Sequence, residues 1–402
     1  MRKLTRSLVA VLAVLAAAVV LEGLAALVFV VRPTGNPLAF RSGEARLHLY
    51  VPQETGIFYR IKPHHRQVFR SDEFRTEVRT NNLGFRDDAD YRGEPLDVAV
   101  VGDSFTFGHG VDTGERYGDL LRAALPGRRV AVLSPANGWA PVTFYLYLKQ
   151  HPELLPRLLV IGLFAWNDLA DDMASAELQR DAAGRLVRVA HKGMAVNRDG
   201  YLVPRDMADW SEPGWRRLMR ESHLGRLILL AADRGRRALA TASSQAVEGP
   251  DNAPSDTASA SAPMSRLMPH ERGELDNTAL QSLDFVGQVA DLVSAAGGQT
   301  LVLYIPASYM VGDYPFFCSL SSGHDDQTCA RMRHNDAPGE ALRSWFARHP
   351  DILLLDPTDE FRRREAEGQR LYYEKDGHWT PLGHAAAAEL LVQRLAEEGL
   401  PR

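Results

Sequence analysis

Five short apolar runs, each followed by a segment able to form a helix, constrain this chain more than any other feature. The runs are Asp97–Val101, Arg129–Leu133, Leu158–Phe164, Thr300–Ile305 and Ile352–Leu355. Helix-compatible segments lie near 116–125, 141–151, 276–296, 338–349 and 382–398. Apolar strands alternating with amphipathic helices predict an α/β fold, a parallel sheet with helices on both faces. The first run ends abruptly at Gly102-Asp103-Ser104, and a helix-compatible segment follows. Ser104 is therefore expected at the carboxyl end of a strand, where open α/β sheets bind ligands.

A serine hydroxyl is a poor nucleophile unless a base takes its proton. After the fifth run the chain reads Tyr372-Tyr373-Glu374-Lys375-Asp376-Gly377-His378-Trp379, then enters the last helix. His378 is the candidate base, and Asp376 the candidate group that holds its tautomer and stabilises the imidazolium. Attack on an ester also needs donors for the oxyanion. The candidates are the Ser104 N–H, the N–H of Gly138 after the second run, and the Asn167 side-chain amide after the third. Singly, Gly138 also fits a turn and Asn167 a helix cap. What distinguishes the set is that four polar elements follow runs one, two, three and five in the order Ser, Gly, Asn, His.

Gly-Asp-Ser-Phe at 102–105, Gly138, Asn167 within Trp-Asn-Asp, and Asp376 with His378 resemble blocks I, II, III and V of the SGNH (GDSL-type) hydrolases. The resemblance covers roughly residues 80–398. It implies a flavodoxin-like three-layer α/β/α sandwich with a five-stranded parallel sheet, and acyl-ester chemistry with no cofactor and no metal. Ser104 would be the nucleophile, His378 the base and Asp376 its orienting group, with Ser104, Gly138 and Asn167 forming the oxyanion hole. Two departures stand out. One residue separates Asp376 from His378 where many family members have two, and Ala165 stands where block III often has Gly. The Asp-x-His-Trp form, with Asn81 or Asn82 leading into Gly84-Phe85-Arg86, is similar to bacterial SGNH-like proteins of envelope polysaccharide modification. The functions implied are an esterase removing O-acyl groups, acetyl above all, from an envelope carbohydrate, or an O-acetyltransferase. The non-enzymatic alternative is a scaffold that binds envelope assembly partners. Around the site, His109, Trp139, Trp166 and Trp379 are candidates for substrate contact, with core or lip packing as the alternative for the tryptophans. Arg86 is expected in a structural salt bridge, with binding of an anionic group as the alternative.

Outside the sheet, Arg2, Lys3 and Arg6 precede an apolar stretch from Leu8 to Val31. At about 1.5 Å per residue such a helix crosses a bilayer core of about 30 Å. Residues 1–32 are therefore expected as a single-pass anchor in a bacterial inner membrane, with the body on the periplasmic side; a cleaved signal peptide is the alternative. Glu22 interrupts the stretch and is expected to be hydrated rather than to mark a helix partner. Residues 33–95 read as an extension, and 96–398 as the hydrolase-like domain with an insertion at 168–275. Trp215 to Ala240 reads as a basic amphipathic helix, and the Ser-, Ala- and Pro-rich tract 241–269 as disordered. Cys318 and Cys329 are expected to pair as a disulfide in an exported protein, free thiols being the alternative. A net charge of -5 offers no footprint for nucleic acid.

Overall fold

The computed structural model describes residues 16–25, 49–52, 56–57, 59–71, 73–135, 139–164, 168–169, 172–209, 211, 224–225, 228, 275–314 and 335–399. Its centre is a five-stranded sheet built from β5 (Val98–Val101), β6 (Val130–Val132), β7 (Leu158–Phe164), β12 (Gln299–Ile305) and β13 (Ile352–Leu355). The order is β13-β12-β7-β5-β6, and every neighbouring pair is parallel. Counted along the sheet strands alone this is 2-1-3-4-5, the flavodoxin-like order, with its switch point at β5. The expected architecture is met, with each predicted run present to within two residues at either end.

Alternation along these strands divides the core in two. Ala99, Val101, Leu159, Ile161, Leu163, Val302 and Tyr304 face one cluster. That cluster is closed by α3 (Pro141–Gln150), α5 (Asn277–Ala295) and α7 (Ala337–Phe346). Val98, Val100, Val160, Leu301, Leu303 and Ile305 face the other, closed by α2 (Tyr117–Ala124), α8 (Thr358–Ala366) and α9 (Pro381–Glu397). Side chains of period two, apolar at every position, can be buried on both sides only in such a three-layer sandwich.

The extension adds two hairpins, β1 (Tyr50–Pro52) with β2 (Tyr59–Ile61), and β3 (Arg66–Arg70) with β4 (Arg75–Arg79). They have no separate core: Tyr59, Phe69, Phe74 and Phe85 join the α3 side of the sandwich. The insertion contributes β8 (Ala176–Arg180) paired with β9 (Leu186–His191), and β10 (Met194–Val196) paired with β11 (Leu202–Pro204). It is tied to the extension through Val189 N–H to Gly56 O at 2.7 Å and Tyr50 N–H to Gly200 O at 3.1 Å.

Most of the predicted basic helix, all of 241–269, and both cysteines, Cys318 and Cys329, lie outside the described residues. Of the predicted anchor only 16–25 are described; they are helical, and Val19, Val20, Leu21 and Leu24 are exposed. Among the described residues no helix is long and apolar enough to cross a membrane. Glu22 is half-buried, and its Oε2 accepts the Leu224 N–H at 2.9 Å, a partner on a segment remote in sequence.

Candidate active site

Ser104 opens α1 (Ser104–Phe107) directly after β5, at the switch point of the sheet. The turn is made by Asp103, whose Oδ1 caps the helix by accepting the Phe105 N–H at 2.9 Å. Ser134, at the end of β6, places its hydroxyl 2.6 and 2.8 Å from the carbonyl oxygens of Gly102 and Asp103. Beneath the turn, Thr106 bonds Tyr117 at 2.6 Å, and a Cβ on Gly162 would lie 2.5 Å from the one hydroxyl and 2.6 Å from the other. Glycine at 162 is what lets the serine helix settle onto β7.

The loop between α8 and α9 brings the base to this point. Tyr372 bridges to Trp379, and Tyr373 N–H donates to His378 O at 2.8 Å, closing a tight turn around Gly377 at φ 82°. Thr380 then caps α9. Glu73, on the turn between β3 and β4, accepts the N–H groups of Glu374 and Lys375 at 2.8 and 2.9 Å. The result is a relay: Ser104 Oγ lies 2.8 Å from His378 Nε2, and His378 Nδ1 lies 2.6 Å from Asp376 Oδ1. Since Asp376 accepts from Nδ1–H, Nε2 presents the lone pair that takes the Ser104 proton. The single-residue spacing of Asp376 and His378 is therefore compatible with the contact.

The electrostatics suit that role. Burial alone would raise the Asp376 carboxyl, but the imidazoles of His378 and His109 outweigh it and hold it well below the usual carboxylate range. Burial lowers the basicity of His378; Asp376 works against this and His109 adds to it, leaving the ring below its ordinary value of 6.5. His378 is thus neutral, and a base, at neutral pH.

The other predicted residues divide. Gly138, Trp166 and Asn167 lie outside the described residues, so of the three expected oxyanion donors only the Ser104 N–H is described. It belongs to the first turn of α1, whose N–H groups have no partner within the helix. Trp139 and Trp379 are 2% and 0% exposed. Trp139 packs among Tyr59, Phe85, Phe144 and Tyr147, and Trp379 among Phe105, Tyr117, Phe361 and Tyr372. Neither has a face left to stack on a sugar, which corrects the substrate-contact expectation for both. His109 is at the site, but its Nε2 is turned to Asp376 Oδ2 at 3.5 Å. Among the described residues, His109, Asp376 and His378 have donor atoms close enough to ligate a cation, all within 4.8 Å of one another. Here those atoms face each other and Ser104.

Arg86 corrects another expectation. It is fully buried, and its guanidinium donates to the carbonyls of Phe107, Gly108, Glu77 and Val111 and to Thr76 Oγ1, at 2.6 to 3.2 Å. Burial pulls its pKa down to about 9, which leaves it charged at neutral pH. Asn81 is the asparagine that leads into it, its Oδ1 accepting the N–H groups of Leu83 and Phe85. Gly84, at φ 86°, passes so close to Ile61 O that a Cβ would strike it. The clamp that Arg86 forms and the Glu73 brace carry no local sequence signal, since both act on backbone atoms of other segments.

Fold and site together define an α/β protein with a Ser–His–Asp relay at its switch point. No family model matches the chain. Among curated proteins, a diglucosylglycerate octanoyltransferase from Mycobacterium tuberculosis is 35% identical over 88 residues, 22% of this chain and 34% of the relative. The chain thus matches only about a third of that relative's length. Among solved structures, a lipolytic protein of the G-D-S-L family from Veillonella parvula aligns over 75% of this chain and 98% of its own, at 8% identity and a TM-score of 0.34. A GDSL-like lipase from Bacteroides thetaiotaomicron aligns over 75% and 88%, at 12% identity and a TM-score of 0.32. At such scores the likeness carries no weight, and the functional reading rests on the site's own geometry.

Proposed function

We propose that this chain is an ester-acting serine enzyme of the SGNH type, removing O-acyl groups, acetyl foremost, from a carbohydrate of the bacterial envelope. The observation that carries this reading is the continuous relay from Ser104 Oγ through His378 to Asp376. Ser104 Oγ attacks the acyl carbonyl carbon while its proton passes to His378 Nε2. The carbonyl oxygen becomes an oxyanion held by the Ser104 N–H, with Gly138 and Asn167 assigned as the further donors. Collapse expels the sugar oxygen, which takes the proton from His378 and leaves an acyl ester on Ser104. Water then attacks this ester, giving its proton to His378, and the carboxylic acid departs as Ser104 recovers the proton. Asp376 keeps the imidazole in the right tautomer throughout and stabilises its charged form. Support for an envelope location comes from the basic residues ahead of the apolar stretch Leu8 to Val31, which favour a tether with the body outside the cytoplasm.

A second reading, transfer of the acyl group to a sugar hydroxyl in place of water, is favoured by the 88-residue match to an octanoyltransferase. It shares the first half of the reaction and differs in the acceptor. Incubation with an acyl donor and candidate oligosaccharides, read by mass spectrometry, separates the two: added acyl mass on the glycan indicates transfer, and acid release alone indicates hydrolysis.

The chemistry common to both is tested by a fluorophosphonate probe and a p-nitrophenyl acyl ester. The wild-type chain is expected to label at Ser104 and to cleave the ester, and Ser104→Ala to lose both. A wild-type chain that neither labels nor turns over would overturn the enzymatic reading in favour of a scaffold; an unchanged rate in Ser104→Ala would overturn the role of Ser104.

A further inference from the structure

Asp376 faces two imidazoles. Oδ1 lies 2.6 Å from His378 Nδ1, and Oδ2 lies 3.5 Å from His109 Nε2. The two rings are 4.5 Å apart between centroids and inclined by 37°. Sequence places His109 in the loop after the nucleophile with no motif to give it a task.

The loop that carries His109 is held from several sides. Gly108 and Gly110, on either side of it, have φ of 78° and 90°, a region that favours glycine. A Cβ on Gly108 would strike the Arg116 side chain, and one on Gly110 would come within 2.7 Å of the Tyr373 ring. The His109 N–H donates to Ser104 O at 3.0 Å, Arg86 holds the carbonyls of Gly108 and Val111, and the Tyr373 hydroxyl holds that of Gly110 at 2.9 Å. Phe69 and Phe74 meet the imidazole edge-on, at 4.8 and 5.5 Å. The backbone on both sides of His109 is thus held by Ser104, Arg86 and Tyr373, and its ring is directed at one carboxylate oxygen. A histidine serving as ordinary polar surface needs none of this.

From this geometry we infer that His109 is a positioning residue: its Nε2–H engages the second oxygen of Asp376 and so keeps the first oxygen on His378 Nδ1. A carboxylate held at one oxygen alone can rotate about its terminal bond; one held at both cannot. At 3.5 Å the contact is long for a hydrogen bond, and catalytic hydrogen bonds commonly tighten only in the reacting complex. His109 touches neither the acyl group nor the sugar in this role. The inference rests on the proposed ester chemistry for its kinetic readout, but the carboxylate contact itself does not.

Among the described residues, the charged and titratable groups that act on the pair besides Asp376, which meets one nitrogen of each ring, are Glu73 from the β3–β4 turn, Tyr373 on the Asp376 loop, and His384 behind His378 on α9. Removing His109 leaves the whole field of Asp376 to His378, so the acid limb of activity moves to higher pH.

The experiment uses the full chain with His109→Phe and His109→Gln, an acyl ester assay from pH 4 to 8, and the low-field NMR resonance of the His378 Nδ1 proton. His109→Phe is expected to lower kcat by about 10- to 100-fold, a part of what general-base catalysis supplies, with KM within about twofold and a broadened Nδ1 resonance. His109→Gln keeps an N–H donor and is expected to restore kcat to within about threefold of wild type. Both are expected to shift the acid limb upward. A change in KM at constant kcat would instead make His109 a substrate contact. Unchanged kcat, limb and resonance in His109→Phe would overturn the inference. If the wild type turns over no ester, the proposed function fails, while the Nδ1 resonance in the same variants still decides whether His109 holds Asp376.

Discussion

At the scale of single residues, the behaviour of the site follows from where His378 sits. Burial lowers its pKa, Asp376 opposes the shift and His109 adds to it, with a net displacement below 6.5. The base must be neutral to accept the Ser104 proton, so activity rises with pH through this lowered value. The acid limb of kcat/KM is therefore expected below pH 6.5, and a pH–rate profile on a p-nitrophenyl ester measures it; a limb above 6.5 would contradict the burial described here. Trp139 and Trp379 show the reverse relation between position and role. Each adjoins a site residue in sequence, yet each lies with its ring in the core, because neighbours along a loop point to different sides of it.

At the scale of elements, the active edge is assembled by pieces that share no local signal. The β3–β4 hairpin sends Glu73 to the loop that carries Asp376 and His378, and Arg86 ties that hairpin to the loop after α1. Removing the guanidinium takes a donor from the carbonyls of Phe107, Gly108, Glu77 and Val111, of which Gly108 keeps the Val111 N–H and Val111 keeps the Thr76 hydroxyl; a buried carbonyl left unsatisfied costs about 1–3 kcal/mol. Arg86→Met is expected to destabilise the fold by about 3–5 kcal/mol, measured by urea denaturation. Activity should fall further than stability accounts for, since the His109 loop loses its clamp. A loss under about 1 kcal/mol would show that water replaces the clamp. Helix α8 lacks a sequence signal for a related reason. Its segment, Thr358 to Ala366, has six charged residues in nine and one large apolar residue, Phe361. It is held by Phe361 in the core and by Glu360 paired to Arg363 and Arg364, which a hydrophobic period cannot reveal.

At the scale of the whole molecule, the second core carries a buried histidine that makes stability depend on pH. His384 on α9 is fully buried, accepts the Tyr117 N–H at Nδ1, and stacks on the Tyr117 ring. Burial, with the charges of Arg116 and Arg86, lowers its pKa to about 3. The unfolded chain binds a proton there below pH about 6.5, while the folded chain does not until near 3. The folded state therefore loses about 1.4 kcal/mol per pH unit as pH falls across that window. His384→Gln, which keeps an acceptor for the Tyr117 N–H, is expected to flatten the fall of Tm between pH 6 and 4. Parallel Tm curves for the two proteins would rule this out.

Much of this protein is determined locally and so was legible in the chain. Strand runs apolar at every position can be covered only by helices on both faces, and that physics alone predicts the parallel sandwich and places Ser104 at a strand end. Tertiary structure decided what depends on contacts between distant segments. It brought Asp376 and His378 to Ser104, gave Arg86 carbonyls instead of an acid, gave Glu22 a backbone N–H at Leu224, and turned His109 to the far oxygen of Asp376. Hydrophobic periodicity is a property of neighbours a few residues apart. Which way a loop side chain points is set by the packing of elements hundreds of residues apart, and no local pattern encodes it.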